Sequence, residues 1–303
     1  MIERHLTKRR TRGIVGIFLA IGLLVQCHRA VSERTGANTV VAADITAVKS
    51  ASNKALAALT PTKLTVPRPS LEELAAADPI AFFEMAMDRY DRSVRDYTCT
   101  FTKQELVCGK MTPAQVMEAS FRQNPFSVRL KWIENRDKAA RVLYVADRWV
   151  DKGEQMAVVE PGPIARLFVP YVMRPIHGKD AAKSSRRTID QFGVRNSLEL
   201  VLKYCKMAQQ ENVLDFTYQG TSKVDGRPTL MFERRLPYTG EHTKWPDRIL
   251  TVHIDRELLL PTLCVAYADD NKKHLLGRYQ ISNLKLNTNL ADSTFTKTGM
   301  GLQ

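Results

Sequence analysis

Between Tyr97 and Trp132 apolar and polar side chains alternate in three successive runs. Tyr97, Cys99 and Phe101 share one parity, and Thr98, Thr100 and Thr102 the other. Met117, Ala119 and Phe121 alternate with Glu118, Ser120 and Arg122; Phe126, Val128, Leu130 and Trp132 alternate with Ser127, Arg129 and Lys131. Successive side chains of a strand point to opposite faces, so the pattern predicts three antiparallel strands with one apolar and one wet face. Gly109, Pro113 and the Asn124-Pro125 pair fall in the breaks, where turns are required.

Helical spacing precedes this sheet. Ser70-Leu-Glu-Glu73 is a capping box, and Asp78-Pro79 starts a second helix on which Ile80, Phe83, Met87 and Tyr90 form a stripe widened by Phe82 and Ala86. Such a stripe is expected to lie on the sheet. After the opening meander, Arg141–Ala146, Arg148–Asp151 and Gln155–Glu160 read as short strands. Ile164–Ile176 is apolar and broken by Pro170 and Pro175, which suits a loop or short helix. The cationic stretch Lys179–Arg187 reads as a solvated loop. From Asn196 an amphipathic helix places Leu198, Val201, Leu202 and Cys205 inward.

The last third returns to strands at 215–221, 228–234, 248–255, 261–267 and 276–286, with Val224-Asp-Gly-Arg227 as a hairpin signal. The total is about eleven strands with few helices. Neither a parallel crossover pattern nor a solenoid period occurs.

Composition adds little to the fold and more to the location. The 303 residues are 44% hydrophobic and 25% charged, enough for one large domain or two small ones. Net charge is +13. Residues 1–27 hold five cations and one anion, so without them forty cations still face thirty-one anions. A solvated basic surface explains this; attraction to anionic lipid headgroups or acidic polymers is the sharper alternative. No nucleic-acid motif is present.

Residues 1–12 are basic, and Gly13–Val25 carries no charge, which is the form of a secretory signal or membrane anchor over 1–27. Leu24-Val-Gln-Cys27 resembles a lipoprotein signal and makes Cys27 a candidate lipidation site, although Gln26 stands where that motif has a small residue. Cleavage near Ala30 or Ala42-Ala43, or an uncleaved anchor, are the alternatives; each sends the bulk of the chain across the membrane. Residues 28–69 read as a flexible linker and 70–303 as a single folded domain.

Candidate chemistry is sparse. There is no GxSxG elbow, phosphate-binding glycine loop, HExxH or CxxC, and no cofactor or metal is implied. Of Cys27, Cys99, Cys108, Cys205 and Cys264, a Cys205–Cys264 disulfide is sterically conceivable; otherwise they are small apolar residues. A hydrolase can be drawn from His253 as base, Asp255 as its orienter and Cys264 as nucleophile, but a surface pair and a turn aspartate explain these residues as well. Asp269-Asp-Asn lacks the spacing of a calcium loop.

Several segments resemble one family. Asp96-Tyr-Thr-Cys-Thr-Phe-Thr-Lys-Gln-Glu, Asn124-Pro-Phe-Ser-Val, Gly193-Val-Arg-Asn-Ser, Lys223-Val-Asp-Gly-Arg-Pro, Ile254-Asp-Arg-Glu-Leu-Leu-Leu-Pro and the stretch from Tyr279 to Phe295 are similar to the bacterial exported domain of unknown function 1571. The likeness runs from Asp78 to Phe295. The closing segment is also similar to the end of LolA- and RseB-type lipoprotein carriers and sensors.

That resemblance implies an α+β fold: a strongly curved antiparallel sheet, a half-barrel, with helices covering an apolar concave face. It implies a non-catalytic envelope protein that binds a lipid or an acylated lipoprotein. The expected ligand site comprises Phe101, Phe121, Trp132, Tyr144 and Trp149, with Phe168 and Tyr171 from the apolar loop as a lid. The runner-up is a scaffold or sensor without a small ligand, which acts on another envelope component through the outer, polar sheet face and the basic loop Lys179–Arg187, with Lys183, Arg186 and Arg187 as the charges to test. The expected location is periplasm or cell envelope, with membrane association through the N-terminus.

Overall fold

Thirteen antiparallel strands make one open sheet in the computed structural model, which describes residues 69–302 apart from 137, 241 and 242. The expectations for the signal or anchor over 1–27, for Cys27 and for linker residues 28–68 lie outside the described residues. Among the described residues no helix is long and apolar enough to cross a membrane.

In chain order the elements are α1 (Leu71–Ala77), α2 (Pro79–Ser93), β1 (Asp96–Val107), β2 (Lys110–Met111), β3 (Gln115–Arg122), β4 (Ser127–Glu134), β5 (Ala139–Val145), β6 (Val150–Asp151) and β7 (Glu154–Pro161). Then come α3 (Pro163–Arg166), β8 (Val172–Pro175), α4 (Lys179–Ala182), α5 (Val194–Gln210), β9 (Asp215–Val224), β10 (Arg227–Arg235), β11 (Ile249–Asp255), β12 (Pro261–Tyr267) and β13 (Leu275–Leu286). Both N-terminal helices start as their sequence dictates. Ser70 Oγ accepts from Glu73 N at 3.1 Å while Glu73 Oε2 accepts from Ser70 N at 2.7 Å. Asp78 Oδ1 accepts from Ala81 N at 2.9 Å, with Pro79 in the first helical position.

Along the sheet the order is β6-β7-β5-β4-β3-β1-β13-β12-β11-β10-β9. Two meanders are thus joined through β1 and β13, the first and last long strands, with Phe101 opposite Ile281. The alternation read from the sequence is realised here: Tyr97, Met117, Phe121 and Val128 are buried, while Glu118 is exposed. The eleven expected strands become thirteen because the turn after β1 extends into a two-residue ladder at β2, and because part of the apolar loop pairs with β7 as β8; the expected strand Arg148–Asp151 shortens to β6. Pro170 lies outside β8 and Pro175 at its last residue, so neither proline interrupts the ladder.

Two cores fill the concave side. Phe82, Phe83, Leu198, Leu202, Phe232 and Val252 join α2 and α5 to β10 and β11. Tyr90, Tyr97, Phe121, Val128, Tyr144 and Leu260 form the second. A third, unforeseen core lies on the opposite face, where the tail after β13 lays Phe295, Met300 and Leu302 on Leu143, Val145 and Val158. Arg141 fastens this tail by donating to the Met300 carbonyl.

Candidate functional site

Val172 of β8, Val159 of β7, Trp132 of β4, Phe101 of β1, Cys264 of β12 and Arg234 of β10 all face one cavity of about 900 Å³. β8 and β10 are nine strand steps apart, about 43 Å in a flat sheet. Sharing one cavity of this size requires the sheet to curl, as the half-barrel expectation has it. Between the cores, α5 closes the hollow, turning Leu198 and Leu202 toward the sheet and Ser197, Leu200 and Tyr204 toward the cavity.

A strap from α4 to α5 crosses the opening. Sequence reading makes Lys179–Arg187 a solvated loop; instead, Glu105 pins it. That carboxylate is 1% exposed. Its Oε1 accepts from Tyr279 OH at 2.8 Å and Arg186 N at 3.2 Å, and its Oε2 from Lys103 Nζ and Ser185 Oγ, each at 2.9 Å. Four donors on a buried carboxylate offset its desolvation. Burial, and the neighbouring Glu105 charge, push the Tyr279 phenol up, so it remains a donor. Ile189 and Phe192 extend the strap's inner face, with Phe192 edge-on to Phe101 at 5.2 Å. A loop of mixed charge gives no periodic signal, and Glu105 lies 81 residues from Arg186.

Beneath α5, Arg234 is 1% and Asp247 3% exposed. Arg234 Nη2 donates to both Asp247 oxygens at 3.0 and 3.1 Å, and the guanidinium lies 5.5 Å from the Tyr204 ring centre. Altogether eight Lys and Arg line the cavity against five Asp and Glu. Four of the five acids pair with a Lys or Arg: Glu105 with Lys103, Asp180 with Arg174, Glu199 with Arg195 and Asp247 with Arg234; Asp190 lies 3.3 Å from His177 Nε2. Among the described residues no carboxylate pairs with Lys138, Lys183, Arg186, Arg187 or Lys203. The result is an apolar wall with uncompensated positive charge. Arg186 and Arg187, within the strap, are half-buried and line the cavity, and Arg186 donates to the Pro246 carbonyl at 3.1 Å.

The seven aromatics expected to bind ligand separate into groups. Phe101 and Trp132 stand on the cavity wall. Phe121 stacks on Tyr97 with centroids 4.8 Å apart and borders a smaller hollow of about 360 Å³. Tyr144 is in the concave core against Phe126. Trp149 and Tyr171 belong to the outer core, where Lys297 Nζ donates to Tyr171 OH at 2.8 Å. Phe168 is 81% exposed. Met117, Leu130 and Ile281 complete the apolar wall, and the parity shared with Phe101 and Trp132 was the signal for the first two.

His253, Asp255 and Cys264 do not assemble. Cys264 pairs with Val252 across the β11–β12 ladder, so it points to the concave face while His253 points outward. Burial pushes the Cys264 thiol up to about 12, far from a thiolate nucleophile. Burial and Arg278 lower the His253 pKa, and its Nδ1 lies 2.9 Å from Ser222 Oγ. Asp255 caps its turn by accepting from Glu257 N and Leu258 N at 2.9 Å. The described cysteines are all free thiols, Cys205 and Cys264 included. No group of three or more potential metal ligands occurs among the described residues.

The resemblance segments have structural explanations. Gly193 has φ of 122° and caps α5 where a Cβ would sit 3.2 Å from the Phe121 ring and 3.3 Å from Tyr97 OH. Asp225 and Gly226, both at positive φ, turn the β9–β10 hairpin, and Arg227 then reaches Asp255 at 3.1 Å. Asn287 stitches the end of β13 to the start of β1, accepting from Arg95 N and donating to Ser93 O, both at 2.8 Å.

Among solved structures the chain is similar to a DUF1329 family protein from Desulfovibrio piger, at 14% identity and TM-score 0.38, covering 75% of this chain and 100% of that one. It is similar to a MucA/MucB complex structure from Pseudomonas aeruginosa at 16% identity and TM-score 0.40, covering 72% and 60%. With the lipoprotein LppX of Mycobacterium tuberculosis it shares 13% identity at TM-score 0.31, covering 71% and 98%. No curated protein matches the chain. The family model for a protein of unknown function, DUF1571, matches residues 94–299, from the first strand through the outer tail, and the chain therefore belongs to the DUF1571 family.

Proposed function

We propose that this protein is a non-catalytic cell-envelope protein that holds the acyl chain of a lipid or an acylated lipoprotein in the concave cavity, with the ligand's polar end at the cationic rim. The observation that carries the reading is the cavity itself. Its volume of about 900 Å³ lies within the usual range for small-molecule sites, and its wall is built from Phe101, Met117, Leu130, Trp132, Val142 and Ile281. Each methylene taken from water contributes about 0.8 kcal/mol, so ten give about 8 kcal/mol before the comparable cost of association. That balance suits reversible carriage. The five unpaired cations favour an amphiphile with an anionic head. The basic N-terminus followed by Gly13–Val25 supports export and membrane attachment, with Cys27 as the candidate lipidation site.

Native mass spectrometry of the full chain, extracted from the membrane fraction in mild detergent, tests this. The expected spectrum contains a population heavier by one acyl lipid, and that lipid partitions into organic solvent on denaturation. A bare chain mass before and after incubation with anionic and neutral lipids counts against the reading.

A further inference from the structure

Beside the cavity the chain leaves β7 at Pro161, turns through α3 and returns as β8 at Val172, and both of those residues line the cavity. The apex of this turn exposes Ile164 at 79%, Leu167 and Phe168 at 81% each, and Val169 at 42%. Single exposed apolar side chains are ordinary, but four within six residues form a patch. The backbone beneath them is well ordered by hydrogen bonds: Gly162 N donates to Lys138 O at 2.9 Å, Arg166 N to Gly162 O at 3.0 Å and Val169 N to Ala165 O at 3.0 Å. The apex is therefore presented on a closed turn and does not fold back over the cavity as a lid.

Its electrostatic setting is one-sided. From Pro161 to Lys179 the sequence has no Asp or Glu but carries Arg166, Arg174 and Lys179, of which Arg174 pairs with Asp180 at 3.7 Å. The preceding acid, Glu160, is buried and engaged by Arg141 and by Arg166, the latter at 2.9 Å. Lys138, tied to Gly162 through its carbonyl, forms no carboxylate pair among the described residues. Large apolar side chains on a segment whose own charges are all cationic, with Lys138 and Lys179 unpaired beside it among the described residues, match an interface of acyl chains beneath anionic headgroups. We propose that the 163–169 tip docks this domain on an anionic bilayer, inserting Ile164, Leu167 and Phe168 beside the mouth of the cavity. The proposal stands on the exposed tip and does not require the cavity to hold a ligand.

The test places a reporter in the tip of the full chain as Phe168→Trp, with the signal of Trp132, Trp149 and Trp245 subtracted using the unsubstituted chain. Vesicles of phosphatidylcholine, with and without phosphatidylglycerol, carry bromine on their acyl chains. The expected result is a blue shift and quenching of the residue-168 emission, stronger with phosphatidylglycerol. Adding Ile164→Ser and Leu167→Ser weakens the partitioning that this signal reports by about 100-fold. Three outcomes overturn the proposal. The signal is unmoved while the chain sediments with vesicles through another segment; both vesicle types act equally; or the shift follows protein concentration without vesicles, which makes a second copy the occupant.

Discussion

Asp247→Ala is expected to lower the free energy of unfolding by about 3–5 kcal/mol, read as a fall in urea midpoint with unchanged slope. The carboxylate and Arg234 are both almost completely buried, and Arg234 Nη2 bonds both Asp247 oxygens. Removing the acid strands a guanidinium between sheet and helix, beside the Val201 carbonyl at 3.4 Å from Nη1, the Tyr204 face and the Cys205 side chain. An arginine side chain does not shed its proton, so the cost cannot be escaped by neutralisation. Replacing both partners, Arg234→Met with Asp247→Leu, removes the stranded charge and is expected to recover most of the loss. If the single and double variants unfold at the same midpoint, the loss does not come from an uncompensated charge.

Glu105→Ala is expected to be second in size, at about 3 kcal/mol, because it takes the acceptor from Tyr279 OH, Ser185 Oγ and Arg186 N and the counter-charge from Lys103, whose Nζ keeps Ser185 Oγ and the Ser184 carbonyl. Its consequences are not confined to global stability. The strap loses the carboxylate that holds both Ser185 and Arg186, so amide exchange across 179–193 is expected to accelerate more than exchange in the central strands β1 and β13. Glu105→Gln keeps the shape and one acceptor oxygen and is expected to fall between the two. Uniform acceleration through the whole sheet contradicts an anchoring role.

Much of the fold was legible because strand parity is a local property. Tyr97, Met117, Phe121 and Leu130 declared their face through their immediate neighbours, and Asp225-Gly226 and Ser70–Glu73 declared a turn and a helix start within four residues. What escaped the sequence depends on long-range contacts. Phe295, Met300 and Leu302 follow no period, so nothing marked them as the cover of the outer face. The contact that turns a cationic loop into a strap runs between Glu105 and residues 185–186.

The site was harder to read for the same reason. Trp149 precedes a two-residue strand and Tyr171 sits between two prolines, where alternation has too few positions to assign a face. Both joined the tail on the convex side. For Phe168 the sequence offers apolarity alone, which says nothing about direction; the structure turns it outward. Parity did carry Phe101 and Trp132 to the cavity wall.

The central claim is that an acyl chain occupies the concave hollow, and filling that hollow tests it most directly. Val142 is half-buried on the cavity wall, and Val142→Trp adds bulk there without touching Glu105, Asp247 or the apolar tip. Equilibrium titration of a fluorescent fatty acid into both chains, at matched urea midpoints, is the measurement. Saturable binding by the unsubstituted chain that disappears in Val142→Trp is the predicted result; equal binding by both chains contradicts it.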